Sequence, residues 1–324
     1  MTSQVEQLVA GLRDRKVRDV ARAITLVEND GPEGRELLAL LATKSRASGD
    51  HVRCQTIGIT GSPGVGKSTM TSALIAAYRQ QEKSVAVLAV DPSSPFSGGA
   101  LLGDRIRMQS HSSDTDVFIR SMASRGHLGG LAAAAGQVLR VLDAAGFDVV
   151  LIETVGVGQS EVEVAAAADT TLVLLAPGMG DGIQAAKAGI LEIGDIFIVN
   201  KADRDGAQST ARDLRQMVNL ASEDRAHAWV PPVLTAVAST GHGIDEVVTA
   251  IAEHRAWALE VGELDRRRIE RAREEILDTV IAMLRAELAI DPQADLLESL
   301  AADVATGHVD VHSAAESVWE RRFH

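Results

Sequence analysis

The spacing of hydrophobic positions divides the chain into three regions. In the first, residues 1–50, apolar side chains recur at helical intervals, and a Gly-Pro break marks the start of a further helix. We therefore predict an N-terminal helical extension that packs on the main domain. Its apolar stripe consists of Val5, Leu8, Leu12, Val20 and Ile24.

Residues 51–255 consist instead of short apolar runs that alternate with helical stretches. Seven runs predict strands: "QTIGIT", "SVAVLAV", "DVFIR", "DVVLI", "TTLVLLA", "DIFIVN" and "PVLTAV". Nearly continuous apolar runs are typical of parallel strands that are covered on both faces. The alternation with helices predicts an α/β fold with a mostly parallel, doubly wound sheet, in which ligands bind at the carboxyl ends of the strands.

The strand pattern ends near residue 256, and the remaining residues, 256–324, show helical periodicity. A stripe of apolar residues there is typical either of a packing face within the chain or of an oligomer interface, and we favour a dimerisation region. The run of Arg and Glu beside the stripe is interpreted as a solvated face. The stripe consists of Ile269, Ile276, Val280, Met283, Leu284 and Leu288.

Composition narrows the class of protein. The chain has 324 residues, of which 46% are hydrophobic and 24% charged, as in soluble globular proteins. A formal net charge of −13 and an aromatic content of 3% argue against a nucleic-acid partner, because phosphates attract positive surfaces and bases stack on aromatic rings. Cys54 is the single cysteine, which excludes an intramolecular disulfide. Because no apolar run has membrane-spanning length, we expect a cytoplasmic protein without a membrane partner.

The stretch "GITGSPGVGKSTMTSAL" at 58–74 matches the phosphate-binding loop signature G-x-x-x-x-G-K-[ST]. Glycines in such a loop let backbone N–H groups point at an anion where a helix begins. Lys67 is expected to contact the β- and γ-phosphates, and Ser68 to supply a hydroxyl to Mg²⁺. A nucleoside triphosphate is therefore the predicted ligand. The residues expected to line it are Gly61, Ser62, Pro63, Gly64, Val65, Gly66, Lys67, Ser68 and Thr69.

Two further predicted strands end at carboxylates. "FDVVLIET" leads to Glu153, the Walker B arrangement of an acid beside the phosphate loop, and Gly156 follows where a backbone N–H can contact the γ-phosphate. "SVAVLAV" is followed by Asp91 and by a Gly-, Ser- and Pro-rich stretch that contains Asp104. We expect Ser68, Asp91, Asp104 and Glu153 to hold Mg²⁺, and the acids to help place the attacking water.

The base is predicted from "DIFIVNKAD", which puts the motif N-K-x-D at a strand end. A carboxylate at Asp203 can accept hydrogen bonds from guanine N1–H and the exocyclic amine, whereas adenine has no such donor pair and leaves the acid unpaired. Asn200 and Lys201 complete the motif, with the lysine stem along the base. "VLTAVASTGHGIDEV" is similar to the last loop on the guanine side, with Ala238 and Ser239 near the base, although this loop usually has Ser-Ala where the chain has Val-Ala. The predicted ligand is GTP.

A glutamine that orients the attacking water in other GTPases is replaced here. Val157 stands directly after Gly156, at the position where that glutamine often lies. Intrinsic hydrolysis is therefore expected to be slow unless a partner or another group, such as the nearby Gln159, completes the site.

With these motifs the chain resembles the MeaB/ArgK family of methylmalonyl-CoA mutase-associated GTPases, which are SIMIBI-class P-loop GTPases. The resemblance covers roughly residues 57–250. Three stretches are long and specific to the family: "VDPSSPFSGGALLGDRIRM", "IRSMASRGHLGGLA" and "LLAPGMGDGIQAAKAGILEIGDIFIVNKAD". Three others are shared among GTPases: "GITGSPGVGKST", "ETVGVGQSE" and "GHGIDEV".

The resemblance implies a homodimeric G-protein chaperone of an adenosylcobalamin-dependent methylmalonyl-CoA mutase or a related acyl-CoA mutase. Such a chaperone gates cofactor loading and the removal of damaged cofactor. The resemblance also implies that "GMGDGIQAAKAGI" is a third switch, in which Lys187 contacts Glu153 or the partner. Without the resemblance, Lys187 would be interpreted as a lysine on a helix surface.

Rival functions belong to other classes. An older label for the family is a kinase of a transport system, but a kinase usually needs ATP, and N-K-x-D argues against ATP. A nickel-insertion GTPase of the hydrogenase or urease type has this fold class but needs clustered soft ligands. Here Cys54 has only His51 close to it in sequence. A structural protein with a vestigial site would not need every phosphate and base element.

Overall fold

The computed structural model describes residues 4–29, 31–48, 54–92, 114–124, 130–154, 164–178, 191–222, 229–289 and 294–323. The chain forms two compact units, Met1–Arg273 and Glu274–His324. The strands are β1 Gln55–Thr60, β2 Val85–Pro92, β3 Val117–Ser124, β4 Val149–Thr154, β5 Thr170–Leu175, β6 Ile196–Val199 and β7 Val233–Thr235. The helices, besides a turn at Leu191–Ile193, are α1 Gln4–Arg13, α2 Val17–Glu28, α3 Pro32–Ser48, α4 Lys67–Gln80, α5 Gly130–Ala144, α6 Ala207–Ser222, α7 Ile244–Glu260, α8 Glu263–Ala289, α9 Ala294–Ala305 and α10 Val311–Phe323.

The strands form one parallel sheet in the order β3-β2-β4-β1-β5-β6-β7. Each apolar run singled out in the sequence forms one of these strands, which confirms the predicted parallel α/β fold. β3 continues beyond the run "DVFIR" and pairs with β2 as far as Ser124. Because β1 lies between β4 and β5, the loop that follows β1 begins beside the carboxyl ends of both neighbours.

Hydrophobic side chains cover the sheet on both faces. One cluster joins alternate residues of β2 and β4 to α4 and α7, and it includes Leu74 and Ile251. The other joins the intervening residues of the same strands to α5 and the N-terminal helices, and it includes Val138. Alternate residues of a strand point to opposite faces, so the two clusters lie on opposite sides of the sheet.

The N-terminal helices bury the stripe that the sequence predicts. All members of that stripe are buried in the second of these clusters, together with side chains of β2, β4 and α5. Each fully buried Leu, Ile or Val side chain contributes about 1.5–3 kcal/mol relative to an exposed one. The stripe residues concerned are Val5, Leu8, Leu12, Val20 and Ile24.

The apolar stripe of α8, unlike that of the N-terminal helices, has exposed members. Ile269 is 69% exposed, and Ile276 and Met283 are each 63% exposed within the part of the chain that the structure describes. Val280 is exposed as well. The predicted boundaries at 50/51 and 255/256 stay predictions.

The amino-terminal edge of the sheet is bound to α8 by ion pairs, which we call the arginine clamp. Asp169 precedes β5, and its carboxylate accepts hydrogen bonds from Arg268 Nη2 at 2.7 Å and from Arg271 Nη2 at 2.5 Å. Asp195 precedes β6 and accepts two hydrogen bonds from Arg267, both at 2.9 Å. The interpretation of the Arg- and Glu-rich run as a solvated face is therefore wrong for these three arginines, because each binds a buried carboxylate.

Burial alone would raise the pKa of the Asp169 carboxyl, because a low dielectric disfavours its charged form. Hydrogen bonds and positive charge from Arg268 and Arg271 outweigh that effect, so the pKa is lowered. The pKa of Asp195 is lowered in the same way, with His254 and Arg267 outweighing burial. Both carboxylates are therefore ionised at neutral pH.

Across the described ranges, every helix is too short or too polar to cross a lipid bilayer.

Candidate functional site

The predicted phosphate loop, residues 61–66, joins β1 to α4. Two of its glycines are required by space as well as by backbone angle. Gly61 has φ +136°, and a Cβ there would collide with the Leu174 carbonyl of β5. Gly66 has φ +100° directly before α4, and a Cβ there would lie 2.5 Å from Asn200 Nδ2. The loop therefore runs tightly between β5 and the residue that follows β6.

Lys67 begins α4 and is 7% exposed. Its Nζ donates hydrogen bonds to Gly61 O at 2.5 Å and to Ser62 O at 3.2 Å. The ammonium group is thus held inside the curl of the loop by backbone carbonyls. A phosphate in the loop offers this cation charged acceptors, and charge-assisted hydrogen bonds are roughly twice as strong as neutral ones.

Glu153 lies near the end of β4, beside Ile59 of β1, and its side chain is buried. Its Oε1 accepts a hydrogen bond from Ser68 Oγ at 2.5 Å. Its Oε2 accepts one from Thr71 Oγ1 at 2.8 Å. α4 and β4 therefore meet at a cluster of oxygen-bearing side chains next to the phosphate loop.

This cluster fits Mg²⁺, which prefers oxygen ligands and is generally held by one or two protein groups together with waters and substrate phosphates. Ser68 and Glu153 supply a hydroxyl and a carboxylate whose oxygens lie 2.5 Å apart, close to where the β- and γ-phosphates would lie. These are the described residues that would hold the ion.

The guanine motif is tied to the phosphate loop. Asn200 is buried after β6, and its Nδ2 donates to Val65 O at 2.9 Å while its Oδ1 accepts from the Ala238 N–H at 3.1 Å. Lys201 has φ +57°, and its Nζ donates to Gly64 O at 2.6 Å. The N-K-x-D motif therefore hydrogen-bonds to both the phosphate loop and the loop after β7, and it holds the two loops next to each other.

The remaining predicted contacts lie around this centre. Asp203 lies in the turn after β6, and Ser239 in the loop after β7; both side chains are exposed. Pro63 and Thr69 are exposed on the phosphate loop and the first turn of α4. Exposure of the polar members leaves their hydrogen-bonding groups accessible to a ligand from solution.

Several predicted residues lie at or beyond the bounds of the described segments. The backbone of Asp91 belongs to the end of β2, next to β4 in the sheet. Its side chain lies outside the described part, as do Asp104, Gly156 and Lys187. The roles of these residues in catalysis, Mg²⁺ binding and switching stay predictions.

Thr71 also belongs to the site, although none of the sequence motifs includes it. It stands four positions after Lys67, and residues at that spacing lie on one face of a helix. The signature ends at the residue after Lys67, so it gives no reason to single out a threonine one turn later. Helical spacing from Lys67, combined with the Walker B strand that packs there, is the signal that finds it.

Cys54 is buried directly before β1. Burial, together with the carboxylates of Asp143 and Asp169, raises the pKa of its thiol to about 12. The thiolate is the form that binds metals, so a thiol that stays protonated at neutral pH argues against nickel delivery through this cysteine. His51 lies outside the described residues. Within those residues, no three His, Cys, Asp or Glu side chains are grouped in a way that would hold a metal ion.

A parallel sheet with a phosphate loop after its central strand, and an N-K-x-D motif hydrogen-bonded to that loop, together define a P-loop GTPase. Comparisons with known proteins agree. GTPase ArgK of Escherichia coli is 38% identical over 266 residues, which cover 81% of this chain and 80% of that protein. A Pyrococcus horikoshii protein that is named as a GTPase is 43% identical over 318 residues, covering 98% of each chain.

The crystal structure of a "LAO/AO transport system kinase" aligns with a TM-score of 0.72 at 26% identity, covering 99% of this chain and 98% of that one. The family model described as "Methylmalonyl Co-A mutase-associated GTPase MeaB" matches residues 20–293. The chain belongs to this family, as its motifs predict, and it is a GTPase.

Proposed function

We propose that this GTPase is a G-protein chaperone of an adenosylcobalamin-dependent methylmalonyl-CoA mutase or a related acyl-CoA mutase. In this role it gates cofactor loading and the removal of damaged cofactor. The description of its family as mutase-associated supports the partner. The nucleotide part rests on the hydrogen bonds from Asn200 and Lys201 to the phosphate loop, because they join the guanine motif to the phosphate site.

In the reaction, a water oxygen attacks the γ-phosphorus and the bond to the β–γ bridging oxygen breaks. GDP and inorganic phosphate are released, and the water's protons leave with the phosphate product and the solvent. Lys67 and the loop N–H groups stabilise negative charge on the β- and γ-phosphate oxygens. Ser68 and Glu153 would hold Mg²⁺, which when bound supplies further positive charge at those oxygens. Asp91 and Asp104 are proposed to complete the shell around the attacking water.

Selection of guanine is assigned to the exposed acid after β6. Asp203 would accept hydrogen bonds from guanine N1–H and the exocyclic amine, while the Lys201 stem lies along the base. Ala238 and Ser239 would lie at the other side of the base, where the Asn200 hydrogen bond holds the Ala238 backbone. A base that covers Asp203 without donating to it would leave the acid buried and unpaired. Such a group costs about 1–3 kcal/mol, which is the size of the expected discrimination against adenine.

The nucleotide state is proposed to be communicated to the mutase by the segments 92–108, 154–163 and 178–190. They follow β2, β4 and β5, which lie close together around β1, so all three begin at the edge that carries the phosphate loop. Lys187 is proposed to contact Glu153 or the mutase. Because Val157 stands where a glutamine often orients the attacking water, intrinsic GTP hydrolysis is proposed to be slow until the mutase completes the site.

A homodimer is proposed through the C-terminal region, 256–324. Exposed apolar side chains line α8 at helical spacing, among them Ile276, Val280 and Met283. A face of this kind is normally covered in the functional assembly. A second copy of the chain is the occupant that the family resemblance implies.

The proposal is tested by measuring the affinity of a candidate cobalamin mutase for this protein by titration calorimetry, with a non-hydrolysable GTP analogue and with GDP. Coupling of this kind is typically about 1–3 kcal/mol, and the mutase must change nucleotide affinity by the same factor. Turnover is measured separately, because reciprocity does not extend to rate constants.

Lys67→Ala serves as the control. It should abolish hydrolysis with an unchanged circular dichroism spectrum, and it should remove the nucleotide dependence of mutase binding. If the mutase changes neither nucleotide affinity nor turnover, the chaperone role is wrong and a GTPase with another partner remains.

A further inference from the structure

Thr71 makes a contact that the motifs do not explain. Its side chain is fully buried on α4, and its Oγ1 lies 2.8 Å from Glu153 Oε2 and 3.1 Å from Lys67 O. Threonines in helices commonly donate to the carbonyl four residues earlier. Thr249 of α7 does so, at 2.8 Å from Asp245 O. At Thr71 a buried carboxylate competes with that carbonyl for the same hydroxyl.

A threonine hydroxyl has one proton to donate, so the two acceptors are not equivalent. The contact with the carboxylate is the shorter, and a hydrogen bond to an ionised acceptor is roughly twice as strong as a neutral one. The proton is therefore directed at Glu153, and the carbonyl of Lys67 keeps the weaker contact.

We infer that Thr71 is a positioning residue for Glu153: it holds Oε2, so that Oε1 faces Ser68 and the phosphate loop. The terminal torsion of a glutamate is broad, so a carboxylate without fixed partners can turn away from its ligand. Ser68 and Thr71 stand three positions apart and lie on the same face of α4. One helix thus sets both oxygens of the acid through its own rigid backbone.

This inference rests on the proposed role of Glu153 and Ser68 in holding Mg²⁺. Partners that orient a metal ligand typically change metal affinity or activity by about 10- to 100-fold when removed. Loss of the Thr71 hydroxyl should therefore weaken cation binding by about that factor, while nucleotide contacts made without a cation should be unaffected.

The test uses Thr71→Val, which keeps the shape of the side chain and removes the hydroxyl. Mn²⁺ is titrated into the full chain with a bound non-hydrolysable GTP analogue, and its affinity is followed by electron paramagnetic resonance. We expect about 10- to 100-fold weaker Mn²⁺ binding. Affinity for the same analogue in EDTA should be unchanged, as should KM for GTP at saturating Mg²⁺.

Two variants control the result. Thr71→Ser keeps the hydroxyl without the methyl group, and it should bind Mn²⁺ nearly as well as the parent protein. Thr249→Val removes a hydroxyl that donates to the Asp245 carbonyl of its own helix, and it should leave Mn²⁺ binding unchanged. In a Glu153→Gln background, Thr71→Val should add little, because residues that act through one contact are not additive.

The outcomes separate the two levels of the argument. If Glu153→Gln leaves Mn²⁺ affinity unchanged, the proposed metal role of Glu153 is wrong. If Glu153→Gln weakens Mn²⁺ binding and Thr71→Val does not, the acid binds the cation and the positioning role of Thr71 is refuted. If Thr71→Val lowers analogue affinity in EDTA as much as in Mn²⁺, or Thr71→Ser fails to rescue, Thr71 supports the loop structure instead.

Discussion

Removal of the Asp169 carboxylate is the sharpest test of how the fold is stabilised. Asp169 is 2% exposed and lies between Arg268 and Arg271, each 22% exposed. Breaking a buried ion pair by removing one partner costs about 3–5 kcal/mol, because the other charge is left without compensation. The two guanidinium groups here reach some solvent, so we expect the lower end, about 3 kcal/mol, for Asp169→Ala.

The assay is urea unfolding, with the free energy extrapolated to water. Trp229 and Trp257 lie in the first compact unit, whereas Trp319 lies in the second. A Trp319→Phe background therefore makes tryptophan fluorescence report on the unit that contains Asp169. The midpoint should fall without a change in the slope m.

Glu270→Ala provides the matched control. Glu270 and Arg273 form a pair at 3.6 Å with side chains 53% and 69% exposed, and such surface pairs contribute about 0–1 kcal/mol. A loss below about 1 kcal/mol for Asp169→Ala, no larger than for the control, would refute the interpretation of the clamp as a stabilising contact.

The same difference should depend on pH with a defined sign. The folded-state pKa of Asp169 is lowered, so its ionised form stabilises the fold at every pH above the unfolded-state value of about 3.9. As the pH falls below that value and through the folded-state pKa, the contribution is lost. The gap in unfolding free energy between parent and Asp169→Ala should thus be constant from neutral pH to about pH 5 and shrink below pH 4.

Two other predictions concern the nucleotide. Asp203→Asn should weaken GTP binding by about 1–3 kcal/mol and improve xanthosine triphosphate binding, measured by competition; equal competition by ATP in the parent protein would contradict the guanine assignment. Gly66→Ala should lower GTP affinity, since its Cβ would press on Asn200 Nδ2, 2.5 Å away. Gly146→Ala is the control, because Gly146 also has positive φ but a Cβ there would meet nothing within 4 Å; equal effects would show that only backbone strain matters.

Hydrophobic periodicity predicted most of the fold because a buried strand or the apolar stripe of a helix depends only on residues a few positions apart. The end of β3 was not predicted, since the residues after Arg120, "SMAS", are too polar for a continuous apolar run and pair with β2 nonetheless. The clamp was not predicted either. Asp169 and Arg268 are 99 positions apart, and nothing in a run of Arg and Glu shows which members will meet a buried acid.

The site divides in the same way. Glycines and Lys67 were predicted because the phosphate loop needs a fixed local spacing. The pairing of Thr71 with Glu153, 82 positions away, depends on how α4 packs against β4, so the helical spacing of Thr71 from Lys67 does not predict it without that packing. Contacts between distant motifs could be predicted only where both motifs must bind the same ligand, as the phosphate loop and N-K-x-D must bind GTP.

The amino-terminal edge of the sheet carries the arginine clamp and the carboxyl-terminal edge carries the phosphate loop, and β5 runs from one to the other. Asp169 stands directly before β5, while Leu174 near its other end faces Gly61 of the phosphate loop. A strand of six residues spans about 20 Å, which is beyond the screening distance of about 8 Å at physiological ionic strength. Asp169→Ala should therefore lower the free energy of unfolding yet leave the GTP affinity of the folded protein unchanged at temperatures far below its midpoint. If GTP affinity also falls under conditions in which the variant is still folded, β5 transmits the effect of losing the Asp169 carboxylate to the phosphate loop. The two edges would then be coupled.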